Sequence, residues 1–96
     1  MPRAIVLNRA DTVATLIDTG RSGEDCVLQG EASGAVKLRQ DVPFGHKLCI
    51  RSTSAGAEVL KYGQVIGKAS RALEVGEHVH VHNVESARGR GDQIKR

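Results

Sequence analysis

Three of the chain's four histidines fall within five residues near its C-terminal end, in the run Glu77-His78-Val79-His80-Val81-His82-Asn83. Histidine titrates near neutral pH, is the commonest general acid or base, and ligates metal through a neutral ring nitrogen. On a β-strand, side chains two apart share a face, so the spacing predicts His78, His80 and His82 on one side and Val79 and Val81 on the other. Two such imidazoles can converge on one ion at about 2.0–2.1 Å from each nitrogen, with Asp, Glu, His46, water or substrate completing the shell. The same alternation also suits a strand that only shows polar side chains to solvent.

Other residues able to do chemistry lie in turns. His46 and Lys47 follow Pro43-Phe44-Gly45, where a loop held by a rigid strand can carry polar groups over a pocket. Lys61 and Tyr62 precede Gly63, and a lysine there could meet a substrate carboxylate as a point charge, or simply be solvated. Cys26 and Cys49 have no Cys-x-x-Cys spacing and lie in apolar runs, so both read as small core residues. No Walker loop, nucleophile elbow or dinucleotide fingerprint is present.

The elements that must position these groups read as short strands. Ala4 to Leu7 suits a first buried strand, and Asn8 to Asp11 a turn. The Thr and Val content of Thr12 to Ile17 favours strand over a helical stretch capped by Asp11. Further strands are expected at Cys26–Leu28, Ala35–Arg39, Leu48–Ile50 and Glu58–Leu60. Gly63 and Gly67 around Val65-Ile66 predict a bend, a short strand and a close backbone approach. One pattern recurs: Gly, two polar residues, then apolar-any-apolar, at Gly23–Leu28, Gly45–Ile50 and Gly76–Val81. Its unequal spacing excludes a solenoid and predicts repeated turn-into-strand units in an all-β fold.

Ninety-six residues set one domain, with a modest core and no room for separate catalytic and substrate lobes. One Phe, one Tyr and no Trp leave Val, Leu, Ile and Ala to build that core, and eleven glycines favour tight turns. The net charge of +3 is modest and concentrates in Arg88, Arg90, Lys95 and Arg96. With so few aromatics for base stacking, nucleic acid is not an expected partner. The domain is expected over residues 1–86, followed by a basic, flexible tail over 87–96. No apolar run approaches the roughly 20 residues of a membrane span, and Ala4-Ile5-Val6-Leu7 is too short for a signal-peptide core. A cytoplasmic protein with reduced thiols is expected.

Three motifs in order resemble one family: Asp41-Val42-Pro43-Phe44-Gly45-His46-Lys47, then Lys61-Tyr62-Gly63-Gln64-Val65-Ile66-Gly67-Lys68-Ala69, then Gly76 to Asn83. Together they are similar to the SAF domain of altronate and galactarate dehydratases, over about Asp11 to Asn83. The resemblance implies a compact β-clip fold and a role beside a large catalytic subunit in dehydrating a sugar acid or releasing sulfite from sulfolactate. The short stretch after Asn83 makes the chain similar to a free-standing small subunit, inactive alone. It further implies a divalent metal, Fe(II) first, with Mn(II) or Zn(II) as substitutes, and a small hydroxy-acid substrate.

Residue by residue, the resemblance puts His46, His80 and His82 in catalysis, with His80 and His82 as metal ligands. It puts Lys47, Lys61 and Asn83 on the substrate. His78 departs from the family's ending and is not carried over. A non-catalytic β-clip module holding a metal or small anion is the expectation of a different class, and self-association is left open.

Overall fold

Glycines in the left-handed region start many of the strands, because only a residue without Cβ takes that backbone cheaply. The three recurring units open on Gly23, Gly45 and Gly76, with φ of 89, 84 and 99°. Each leads into a strand, as the pattern predicted.

The computed structural model describes residues 1–86, and no helix occurs among them. The strands are β1 (Arg3–Val6), β2 (Val13–Leu16), β3 (Asp25–Gly30), β4 (Ala35–Lys37) and β5 (Lys47–Cys49), then β6 (Glu58–Lys61), β7 (Gln64–Ala69), β8 (His78–Val79) and β9 (Val84–Ser86). Six form one sheet in the order β4-β3-β1-β2-β5-β8, and three form a second in the order β6-β7-β9. Only the β1–β3 pair is parallel. The all-β class expected from composition is the class observed.

Alternation along β2 and β5 sends side chains into two cores. Ala14, Leu16 and Leu48 join Ala4, Val6, Cys26, Leu38 and Val42 in one cluster. Val13 and Cys49 join Val59, Ala69, Leu73 and Val79 in the other, which ties the two sheets together. Both cysteines are free and buried, as expected of core residues. Burying a residue such as Leu48 is worth about 1.5–3 kcal/mol, so β5 is firmly seated where it delivers His46 and Lys47.

The strand expected over the histidine run is corrected. β8 covers only His78 and Val79, and the chain turns over residues 80–83 before re-entering the small sheet as β9. Val79 is fully buried, whereas Val81 is 83% exposed at the turn's tip. The cause is Asn83, which is fully buried. Its Nδ2 donates to the His78 carbonyl at 2.9 Å, and its Oδ1 accepts from the His80 N–H at 2.9 Å. An amide that satisfies two backbone groups offers the chain an alternative to the strand ladder. Strand β9 had no alternating pattern to announce it.

Gly67 marks the predicted close approach. A Cβ there would meet the Glu85 carbonyl oxygen of β9. The tail expected over 87–96 lies outside the described residues, and no described helix is long and apolar enough to cross a membrane.

Candidate functional site

His46 closes a four-residue turn, its N–H donating to the Pro43 carbonyl at 3.0 Å, with Gly45 at φ 84° in the third position. That is the type II pattern, which needs positive φ there. β5 then pairs antiparallel with β8, Lys47 opposite Val79 and Leu48 opposite His78. Continuing that register one step places His80 opposite His46, while His78 lies on the same face two residues away.

The rings meet accordingly. His46 stacks on His80 with centroids 3.9 Å apart and planes at 17°. His46 Nδ1 and His78 Nε2 are 2.8 Å apart, a hydrogen bond in which one nitrogen carries the proton. Ring nitrogens of His46, His78 and His80 lie within 4.8 Å of one another. His82 is exposed at the turn and tilts 45° against His78 at 5.1 Å, outside that trio. Spacing alone put His78 on a face with His80; the family pattern did not carry it.

Lys47 points away from His46, since successive strand residues alternate. It lines a cleft of about 230 Å³ with Lys61, Ile66, His80, Val81, Val84 and Ser86. Lys61 comes from the end of β6, just before a two-residue hairpin turn at Tyr62 (φ 54°) and Gly63 (φ 78°). Positive φ at both central residues is the type I′ geometry that matches strand twist. The buried Asp11 carboxylate fixes that turn, its Oδ1 accepting from the Gly63 N–H at 2.7 Å. Thus His80 joins the histidine trio to the two-lysine cleft. Asn83 reaches neither by side chain; its amide is spent on the backbone of His78 and His80.

The electrostatics favour neutral rings at His78 and His80. Burial pushes His78 below the ordinary histidine value, followed by His46, His82, His80 and Lys47. Burial also lowers His80, helped by His46, Lys47 and His82. Lys47 is lowered by burial and then by Lys61. Among the described residues the cleft lining carries two amines and no carboxylate, so an anion entering it relieves repulsion.

Three imidazoles are a recognised donor set for a divalent transition metal. His80 Nδ1 is buried with no hydrogen-bond partner, which suits it to a ligand. The trio therefore fits a metal ion in donor type.

A profile described as the altronate/galactarate dehydratase SAF domain matches residues 2–87. The chain belongs to this family. Among the family's curated relatives, it is 39% identical over 64 residues to the (2R)-sulfolactate sulfo-lyase subunit alpha of Paracoccus pantotrophus, covering 66% of this chain and 96% of that one. The corresponding Chromohalobacter salexigens subunit is 33% identical over 75% of this chain and 77% of its own. The altronate dehydratase of Bacillus subtilis is 30% identical over 90% of this chain, which spans only 17% of that enzyme. This SAF module therefore occurs both as most of a small subunit and as a minor part of a larger enzyme.

Proposed function

We propose that this chain is the small subunit of a lyase that removes water from a sugar acid or sulfite from sulfolactate, acting with a separate large subunit. The observation that carries this reading is the meeting of His46, His78 and His80, of which His80 also lines a cleft with Lys47 and Lys61. It is supported by the match to nearly the whole of a sulfo-lyase alpha subunit.

The reaction takes a proton from the carbon alpha to a carboxylate and expels water or sulfite from the beta carbon. The resulting enol then becomes a keto acid. Lys47 and Lys61 bind the substrate carboxylate as point charges in a partly desolvated cleft, where such contacts are stronger than in water. His82, which lies outside the trio, accepts the alpha proton and returns it to the leaving group. Asn83 acts on the site through the backbone, by keeping His78 and His80 at their stations.

His46, His78 and His80 would hold the divalent metal, Fe(II) in our reading, with Mn(II) or Zn(II) as substitutes. When bound, the ion supplies Lewis-acid stabilisation of the negative charge that develops on the substrate oxygens.

The test is co-expression with the large lyase subunit of the same genome and assay of keto-acid formation from altronate, galactarate and (2R)-sulfolactate with Fe(II) or Mn(II). Turnover by the complex and none by either subunit alone is expected. A stable complex inactive on all three would refute the function. Tight metal or hydroxy-acid binding by the chain alone, with no complex formed, would favour a non-catalytic binding module instead.

A further inference from the structure

The chain contains one Phe and one Tyr and no Trp, and neither aromatic is used in the core. Phe44 is 66% exposed and Tyr62 38% exposed, and Val81 is the most exposed valine at 83%. Each sits beside a site residue: Phe44 two before His46, Tyr62 next to Lys61, Val81 next to His80. A single exposed apolar side chain needs no explanation; these three are set apart by standing within two residues of His46, Lys61 and His80 along the chain, and Val81 also lines the cleft.

All three are held, not loose. Phe44 occupies the turn closed by His46 and Pro43. Tyr62 sits at φ 54°, uncommon for a residue with a Cβ, under the Asp11–Gly63 clamp and with Lys61 Nζ 5.0 Å from its ring centroid. Val81 tips the turn fixed by buried Asn83. Pre-ordered apolar anchors lose little entropy on docking, and aromatic anchors dominate interface energies. Among the described residues the cleft that Val81 lines presents two amines and no carboxylate.

We propose that Phe44, Tyr62 and Val81 are the anchors by which this chain docks on the large lyase subunit, which closes the cleft with an apolar face. This rests on the function proposed above. The large subunit is favoured over a second copy because a copy would bring Lys47 and Lys61 against like charges.

The experiment measures the affinity of the full chain for the purified large subunit by calorimetry, with sedimentation of each alone. Phe44→Ala, Tyr62→Asn and Val81→Asp are compared with Val75→Asp. Val75 is 36% exposed and stands with Val36, Lys37 and Arg39 at a separate cleft that shares no lining residue with the two-lysine cleft. Asparagine tolerates positive φ, so Tyr62→Asn removes the ring without backbone strain. Each site variant is expected to bind at least ten-fold more weakly at unchanged thermal midpoint, with Val75→Asp within two-fold of wild type. Wild-type affinity in all three would overturn the docking face and leave the lyase reading standing. Failure of the wild-type chain to bind the large subunit would overturn both. Loss of a homodimer, with the heterocomplex intact, would assign the face to a second copy and refute the proposal.

Discussion

Asn83→Ala separates a residue that shapes the site from one that touches substrate. The wild-type amide is fully buried and makes two hydrogen bonds of 2.9 Å, to the His80 N–H and the His78 carbonyl. Alanine leaves a donor and an acceptor unsatisfied at a buried turn, at about 1–3 kcal/mol each. Partial access of water to the turn brings the total to roughly 3 kcal/mol, a large share of the ~5–15 kcal/mol that holds a domain of this size. At ~4–8 °C per kcal/mol, the thermal midpoint should fall by roughly 12–24 °C. Circular dichroism melts with guanidinium titration measure it. Asn83→Asp keeps the acceptor for His80 but sets a carboxylate oxygen against the His78 carbonyl, so it should rescue little. A midpoint within about 2 °C of wild type in Asn83→Ala would refute the reasoning and return Asn83 to substrate contact.

Gly67→Ala drives a methyl into the Glu85 carbonyl and Val84; it should cost about 2–4 kcal/mol and free β9 amides to hydrogen exchange ahead of β5 amides. Because the fold holds His78 and His80 below their ordinary value of 6.5, the unfolded chain binds protons that the folded chain does not. Their contribution to stability is thus fully present above about pH 6.5 and is lost as pH falls through the folded values, a slope that should flatten in His78→Asn urea titrations. Co(II) titration followed by absorbance should show binding weakened at least ten-fold by His46→Ala, His78→Ala or His80→Ala, and little changed by His82→Ala; equal loss in His82→Ala would move the metal to the turn. Lys47→Met or Lys61→Met should raise KM for the hydroxy acid more than it lowers kcat, whereas a change confined to kcat would remove the lysines from carboxylate binding.

Much of the fold was legible because its signals are local. Gly23, Gly45 and Gly76 each announce a turn into a strand, and the structure places each at positive φ. Val13-Ala14-Thr15-Leu16 reads as strand by composition and is one. The histidine run misled where a single side chain overrode periodicity: alternation holds for His78 and His80, then Asn83 captures their backbone and swings Val81 and His82 outward. No spacing rule reveals that Asn83 will be buried, since that depends on β9 closing over it. His46 was among the groups expected to complete the histidine site, but which ring it stacks on was not legible, because register between β5 and β8 is a tertiary fact. Lys47 and Lys61, fourteen residues apart, share a cleft only because β6 and β7 pack against the end of β5 and the β8–β9 turn.

The placement of the site at an edge follows from the same geometry. His46 and Lys47 are consecutive, so they serve opposite faces of one strand end: the first reaches the histidine trio and the second the cleft. The site lies where the strand ends, and there the described residues supply no further layer to cover it. Both cores are built from the described residues alone. In a fused enzyme the linker supplies a high effective concentration of the covering domain, and the contact itself can be weak. For a small subunit carried on a separate chain, as the proposed function has it, affinity must replace the linker. Exposed Phe44, Tyr62 and Val81, within two residues of His46, Lys61 and His80 along the chain, are the surface such a requirement selects.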